Sequence, residues 1–183
     1  MARMERFYAA AKEVALLDGE FWECGVYRGA SAKVLVEILR SSPRPLRLFD
    51  TFQGFAGVSA IDGGHKDGLM SYSDIEDIRK FLDADFVTIY PGPVPTRFAG
   101  LEESKIAFAN LDMDLYQPTR DALAFILPRM IKGGIIIIDD CGAEEFPGVE
   151  LAVREIVGDH YSKIGSPHGD FAGITCWQGK IRT

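Results

Sequence analysis

Acidic residues directly follow two of the apolar segments in this chain. Asp112 and Asp114 come after the apolar run Ile106–Leu111, and Asp139 and Asp140 come after four consecutive isoleucines. Either pair alone could be the solvated end of a strand. Crowded carboxylates repel one another, which destabilises a fold unless a cation, a proton or a ligand offsets the repulsion. Because a hard divalent cation such as Mg²⁺ prefers oxygen ligands, these acids predict a metal site.

A glycine turn and one further acid mark the ends of two earlier apolar segments. The first segment ends in Glu23-Cys24-Gly25, and the second ends in Asp50-Thr51. A turn with one or two glycines is usually only a turn, and Asp50 alone could cap a helix or solvate a loop. The order of the two features is nevertheless typical of nucleotide-type cofactor sites, in which an acid one strand after the turn hydrogen-bonds the ribose.

Strand and helix patterns alternate along the chain. The strands are predicted at Phe21–Cys24, Leu46–Phe49, Phe86–Tyr90, Ile106–Leu111, Ile135–Ile138, Tyr161–Ile164 and Phe171–Trp177. Alternation of this kind implies right-handed βαβ crossovers. The predicted fold is therefore α/β: a doubly wound, Rossmann-like, seven-stranded and mostly parallel sheet with helices on both faces, whose last two strands form an antiparallel hairpin. Ligands of such sheets bind outside the carboxyl ends of the strands, where all these acids are expected to meet.

The chain is expected to form one domain over residues 1–183, since 183 residues suit one buried core and are too few for two ordinary domains. A short N-terminal helix is predicted over residues 1–18. The glycine-rich stretch 51–73 lacks apolar periodicity and is predicted to be a lid-like loop, because long irregular loops in compact domains are often functional. His65 lies in this loop, and its role is left open.

Composition and charge restrict the kinds of partner and the cellular setting that we expect for this protein. The net charge is −7, and the basic residues are scattered rather than clustered, so we expect no nucleic-acid partner. The longest apolar runs are far too short to cross a bilayer, and the charged residues near the N-terminus argue against a signal peptide. Three widely spaced cysteines without a CxxC pair favour a reduced, cytoplasmic setting.

Four blocks of the sequence together resemble the macrocin O-methyltransferase family. They are ECGVYRG at 23–29, FDTFQGF at 49–55, LDMDLYQPT at 111–119 and GGIIIIDD at 133–140. The third and fourth blocks are specific in combination, whereas the first alone would be weak. The resemblance implies a class I methyltransferase fold that uses S-adenosylmethionine and a divalent metal, usually Mg²⁺, to methylate sugar hydroxyls in antibiotic biosynthesis.

The resemblance also implies roles for individual residues. The residues implied to bind the cofactor are Glu23, Gly25, Ser31, Asp50, Thr51 and Phe52. Asp112, Asp139 and Asp140 fall where the family binds metal, and Asp114 falls where a general base has been proposed. Asp112 and Asp114 are therefore the expected catalytic residues, and the expected partner is a small-molecule hydroxyl acceptor.

Two departures from the family concern the acceptor. Only about twenty residues precede the first predicted strand, and the predicted lid is modest. A macrolide acceptor therefore does not follow. A smaller or more exposed acceptor is equally compatible, as is a pocket completed by a second subunit in a homo-oligomer.

Two other functions compete with this one. A nicotinamide-dependent oxidoreductase would favour a tighter G-x-G-x-x-G turn, and the turn Cys24-Gly25-Val26-Tyr27-Arg28-Gly29 lacks the first glycine. A non-catalytic cofactor-binding or partner subunit would be expected to lack the acids of the metal site, and all four are present.

Overall fold

The computed structural model describes residues 2–72, 74–158, 162–164 and 173–177. Its helices are α1 (Ala2–Val14), α2 (Ala30–Leu39), α3 (Ile75–Leu82), α4 (Tyr116–Ile126) and α5 (Pro147–Val157). Its strands are β1 (Glu20–Cys24), β2 (Leu46–Asp50), β3 (Val87–Pro91), β4 (Ile106–Leu111), β5 (Met130–Cys141), β6 (Ser162–Ile164) and β7 (Gly173–Trp177).

Strands β1 to β5 form a parallel sheet in the order β3-β2-β1-β4-β5. The chain order reverses between β1 and β4, which is where open α/β sheets bind their ligands. The parallel sheet thus has five strands, and the predicted total of seven is reached only by counting β6 and β7. These two pair antiparallel with each other, and β7 pairs antiparallel with β5. The predicted strand ends at Tyr161 and Phe171 lie outside the described residues.

Helices cover both faces of the sheet because the strands are apolar on both sides. Phe21 and Phe108 face a core shared with α1, α2 and α3, and this side is called the first face below. Trp22 and Ala109, their neighbours in sequence, face a second core shared with α4 and α5. Successive side chains of a strand point to opposite faces, so the doubly wound arrangement follows directly from these apolar runs.

Two local boundaries lie close to sequence features that often mark helix ends. Gly133 and Gly134 lie inside β5, although paired glycines often follow the end of a helix. The β4–β5 register shifts where Ile106 faces Met130 and Phe108 faces Ile135, and this irregularity accommodates the extra residues of β5. Ser73 and Glu76 have the spacing of a capping box, but Ser73 lies outside the described residues. The observed N-cap of α3 is Asp74, whose carboxylate accepts from the Asp77 amide.

No helix in the described ranges is long and apolar enough to cross a membrane.

Candidate active site

The glycine turn after β1 touches the backbone of the acidic segment directly. Gly25 has φ +90°, and its N–H donates to the carbonyl oxygen of Phe49 at 2.8 Å. A Cβ on Gly25 would lie 1.8 Å from the carbonyl oxygen of Asp112. The Asp112 N–H in turn donates to the carbonyl oxygen of Cys24 at 2.8 Å. Only glycine meets both the positive φ and this close approach.

Asp50, at the end of β2, holds the glycine turn with its carboxylate. One oxygen accepts from the N–H groups of Val26 and Tyr27 at 2.7 and 2.8 Å. The other oxygen accepts from the Phe52 N–H at 2.7 Å. Hydrogen bonds to an ionised acceptor are short and strong, so Asp50 fixes the turn. Its predicted contact with a ribose stays a prediction, and the structure adds this second role.

Glu23 is fully buried on the first face of the sheet. Its Oε1 accepts from the Asn110 amide at 3.2 Å. Burial raises the pKa of Glu23 to about 8, and the charges of Asp112 and Asp50 add to that rise, while Ser31 and Asn110 oppose it. Burial thus favours the protonated form of the Glu23 carboxyl.

A cavity of about 490 Å³ opens at the carboxyl ends of β1, β2 and β4. Among the predicted site residues, its wall includes Gly25, Ser31, Asp50, Thr51 and Asp112. Its volume falls within the range of roughly 300–1,000 Å³ that is usual for small-molecule sites.

Two predicted cofactor residues do not line this cavity. Glu23 lies beneath it, and Phe52 is only 2% exposed and packs in the core of the first face. Several other wall residues were not among the predicted site residues, although some of them lie within the sequence blocks at 23–29 and 111–119. They are Tyr27, Arg28, Met70, Gly92, Pro93, Val94, Met113, Gln117 and Pro118.

Three of the four predicted acids come together. Carboxylate oxygens of Asp112, Asp114 and Asp140 all lie within 4.8 Å of one another. This acidic group differs from the predicted ligand set of Asp112, Asp139 and Asp140. Asp139 is 4% exposed and follows Ile137 on the first face of the sheet. Adjacent strand residues point to opposite sides, and the structure therefore does not place Asp139 in the acidic group.

Two of the acids have a strained backbone. The φ angles of Asp114 and Asp140 are 63° and 55°. Left-handed conformations of residues other than glycine cost about 1 kcal/mol each and persist where surrounding contacts enforce them. The acidic turn, residues 112–115, is tightened further by the Leu115 N–H, which donates to the carbonyl oxygen of Met113 at 2.7 Å.

The lid loop, described over residues 51–72, borders the same cavity. Gly54, Phe55, Gly57 and Met70 line its wall. The Phe55 N–H donates to the Leu69 carbonyl oxygen, and the Gly68 N–H donates to the Phe55 carbonyl oxygen, each at 2.8 Å. These bonds close the loop on itself. The lid is therefore an ordered wall of the cavity.

His65 connects the lid to the segment that follows β5. Its Nε2 lies 2.8 Å from the carbonyl oxygen of Glu145. Its ring stacks on Phe146 with centroids 4.9 Å apart, and Phe55 meets it edge-on at 5.7 Å. His65 thus makes a packing contact and does not belong to the acidic group.

Comparison with known proteins decides the family. The family model described as macrocin-O-methyltransferase (TylF) matches residues 1–169. The chain belongs to the macrocin O-methyltransferase family. The resemblance seen in the four sequence blocks is thereby confirmed.

Two curated relatives carry names from this family's chemistry. The 8-demethyl-8-(2,3-dimethoxy-alpha-L-rhamnosyl)-tetracenomycin-C 4'-O-methyltransferase of Streptomyces olivaceus is 29% identical over 171 residues, which cover 84% of this chain and 63% of the relative. The mycinamicin III 3''-O-methyltransferase of Micromonospora griseorubida is 30% identical over 81% of this chain and 65% of its own length. The chain therefore spans less than two thirds of the length of these macrocin O-methyltransferase relatives.

Solved structures show the same fold. The calicheamicin methyltransferase CalS11 superposes with a TM-score of 0.86 and 25% identity, over 98% of this chain and 79% of that one. The O-methyltransferase NovP gives a TM-score of 0.72 at 24% identity, over 94% of this chain and 78% of that one. The Rossmann-like methyltransferase fold predicted for this member of the macrocin O-methyltransferase family is confirmed.

Proposed function

We propose that this chain is an S-adenosylmethionine-dependent O-methyltransferase that methylates a hydroxyl of a sugar or another small-molecule acceptor. One observation carries the proposal: a single cavity is lined both by the glycine turn and by Asp112 of the acidic group. A cofactor lying along the turn would therefore present its reactive end to the acids. The names of the relatives, which are O-methyltransferases of glycosylated natural products, support this reading.

The cofactor side would be formed by residues that line the cavity. Gly25 allows a ligand to approach the backbone closely, and Ser31 lies in the first turn of α2, where exposed N–H groups favour an anionic group such as the methionine carboxylate. Thr51 borders the adenosine end. Asp50 keeps the turn in shape, and Glu23 and Phe52 support it from beneath. S-adenosylmethionine, when bound, supplies a methyl group activated by its sulfonium.

The acidic group fits a divalent cation such as Mg²⁺. Its three carboxylates offer hard oxygen donors within 4.8 Å of one another. We assign Asp112 and Asp140 as ligands, since they belong both to the family's set and to the observed group. A bound cation would lower the pKa of a coordinated acceptor hydroxyl.

Asp114 is the residue that we assign as general base. It shares the turn with Asp112, and its carboxylate lies within the acidic group. During methyl transfer, Asp114 would receive the proton of the acceptor hydroxyl. The cavity wall would position the bound donor and acceptor, and such positioning supplies much of the rate of a displacement reaction.

The remaining partners follow from the same site. The acceptor is a small molecule with a free hydroxyl, and the ordered lid forms one wall of its pocket. A second copy of the chain could supply a further wall. We expect a cytoplasmic enzyme without a nucleic-acid or membrane partner.

Methyl transfer from labelled S-adenosylmethionine to a panel of nucleotide sugars and glycosides tests this function. Asp114→Asn should lower kcat by about 100-fold or more, as expected for loss of a general base. The matched control is Asp83→Asn, which removes the same charge from an exposed helix end whose φ of 46° suits asparagine.

Three results would contradict the proposal. The first is full activity of Asp114→Asn with the true acceptor. The second is thermal stabilisation of the chain by NAD and not by S-adenosylhomocysteine. The third is cofactor binding without turnover of any acceptor, indifferent to both Mg²⁺ and EDTA, which would favour a non-catalytic binding subunit.

A further inference from the structure

Asp62 is a buried carboxylate that joins the lid to the start of α4. It is only 1% exposed. One oxygen accepts from the N–H and the hydroxyl of Ser59 at 2.9 and 2.6 Å, which closes a turn within the lid. The other oxygen accepts from the Tyr116 N–H at 2.7 Å, across 54 positions of sequence. Both carboxylate oxygens are therefore used, one on each element.

Tyr116 is the residue that ends the acidic turn. It is the first residue of α4 and follows Leu115, the N-cap, which makes no side-chain cap hydrogen bond. Asp114, two residues earlier, has a φ of 63°. A strained turn keeps its shape only where outside contacts enforce it. The bond from the Tyr116 N–H to Asp62 is such a contact, and it is strengthened by the charge of the carboxylate.

The surroundings of Asp62 leave it no room to move. A Cβ on Gly148 would lie 2.4 Å from the Asp62 Oδ1 and 2.9 Å from the Tyr116 Cβ. Gly148 belongs to the first turn of α5, and a few residues before it the Glu145 carbonyl oxygen lies 2.8 Å from the Nε2 of His65 in the lid. The lid is thus anchored to both segments that follow the acids, the one after β4 and the one after β5.

We propose that Asp62 is a positioning residue that couples the lid to the acidic turn, so that the lid cannot leave the cavity without releasing Asp112 and Asp114 from their arrangement. The catalytic meaning of this coupling rests on the function proposed above. The coupling itself rests on the hydrogen bonds that the two oxygens of one buried carboxylate accept, one from the lid and one from the start of α4. The coupling is reciprocal: a ligand that orders the acidic turn also stabilises the lid in its position beside the cavity.

Replacing Tyr116 tests the coupling from the other end of the hydrogen bond, because proline lacks the N–H and its ring displaces the Asp62 carboxylate from that contact. Tyr116→Pro removes the N–H that Asp62 accepts from, and proline is well tolerated at the first position of a helix. Leu115 has φ −111° and ψ 151°, the extended conformation that a residue before proline needs. Tyr116→Ala is the matched control, since it also loses the ring and its hydroxyl contact with Glu155 but keeps the N–H.

Hydrogen–deuterium exchange of peptides from the lid and from the acidic turn is the direct readout. In Tyr116→Pro we expect exchange in both peptides to be faster than in Tyr116→Ala by about tenfold, as for the loss of one hydrogen bond to a charged group. Mn²⁺ affinity should fall in parallel, whereas S-adenosylhomocysteine affinity should stay within about threefold, because the glycine turn is held by Asp50.

Asp62→Asn provides a second route to the same comparison. It keeps an oxygen for the Tyr116 N–H but presents an amide to the Ser59 N–H, so the lid peptide should exchange faster than the acidic turn. Equal exchange in Tyr116→Pro and Tyr116→Ala, or acceleration confined to one peptide of Tyr116→Pro, overturns the coupling. A wild-type chain that binds neither S-adenosylhomocysteine nor Mn²⁺ refutes the proposed function instead, and the exchange comparison still decides the coupling.

Discussion

The glycine turn and the acidic turn follow neighbouring strands, yet they are held by different kinds of contact. The glycine turn is fixed from the adjacent strand end, where its Val26 and Tyr27 N–H groups donate to Asp50. The acidic turn is joined at its start to β1, through the Asp112 N–H, and its end is held from the lid, through Asp62 and the Tyr116 N–H. The first turn is held from the sheet, and the second is held partly from a loop. The cofactor side should therefore be the more rigid half of the site, and the acidic side the more easily adjusted half.

The largest effect should come from the one place where the two turns touch. Gly25→Ala would bring a Cβ to 1.8 Å from the Asp112 carbonyl oxygen at a φ of +90°. We expect the free energy of unfolding to fall by about 4 kcal/mol, the range of severe core lesions, with loss of both S-adenosylhomocysteine and Mn²⁺ binding. Urea unfolding and calorimetry measure these quantities.

Gly100→Ala is the control for Gly25→Ala. Gly100 has a φ of +84°, but nothing lies within 4 Å of its added Cβ. It should lose only about 1 kcal/mol, the cost of the left-handed conformation. Equal losses for the two variants would show that conformation, and not the contact between the turns, sets the requirement for glycine at position 25.

A smaller and one-sided effect is expected from Asp50→Asn. The amide oxygen of asparagine can still accept hydrogen bonds from some of the three N–H groups. The negative charge is lost, however, and the amide NH₂ group faces the remaining N–H groups. We expect a loss of about 2 kcal/mol in stability and a clear loss of S-adenosylhomocysteine affinity. Mn²⁺ affinity should change little, because the acidic turn has its own support. An equal loss of affinity for S-adenosylhomocysteine and for Mn²⁺ would mean that the cofactor side and the acidic side of the site are not held separately.

Glu23 allows a pH test of the cofactor side. Burial raises the pKa of Glu23 from 4.5 to about 8. Between these values the folded chain binds a proton that the unfolded chain has released. The stabilising contribution is therefore complete below about pH 4.5 and is lost as the pH rises through about 8, at no more than about 1.4 kcal/mol per pH unit.

Glu23→Gln should remove this component, because the amide does not titrate. Urea midpoints near pH 6 and near pH 8, in wild type and variant, provide the measurement: the wild type should lose more stability than the variant over that interval. The same pH dependence of stability in both proteins would show that a group other than Glu23 takes up the proton.

The sequence predicted those parts of the molecule that depend on neighbouring positions. Apolar runs on both strand faces give the doubly wound sheet, and the acids after β4 and β5 meet because parallel strands end at one edge. The alternation of strand residues after Ile137 predicts the face of the sheet on which Asp139 lies, but only if the extent of β5 is known. That extent does not follow from the sequence, because the register between β4 and β5 is shifted.

Long-range contacts account for most of what the sequence did not predict. Asp62 lies in a glycine-rich loop among residues with no periodic pattern, and its partner Tyr116 contributes a backbone N–H, which leaves no trace in residue type. The requirement for glycine at position 148 has the same origin, since it depends on the position of the Asp62 carboxylate. Such pairings become visible only once the fold brings the two segments together.

The most direct test of the account is an anomalous difference map at the manganese edge, from a crystal grown with S-adenosylhomocysteine and Mn²⁺. We expect S-adenosylhomocysteine density along the Gly25 turn and one strong peak between Asp112 and Asp140, with Asp114 beside it. A peak elsewhere, or a cofactor that lies away from the glycine turn while the acidic group stays free of metal, would contradict the account.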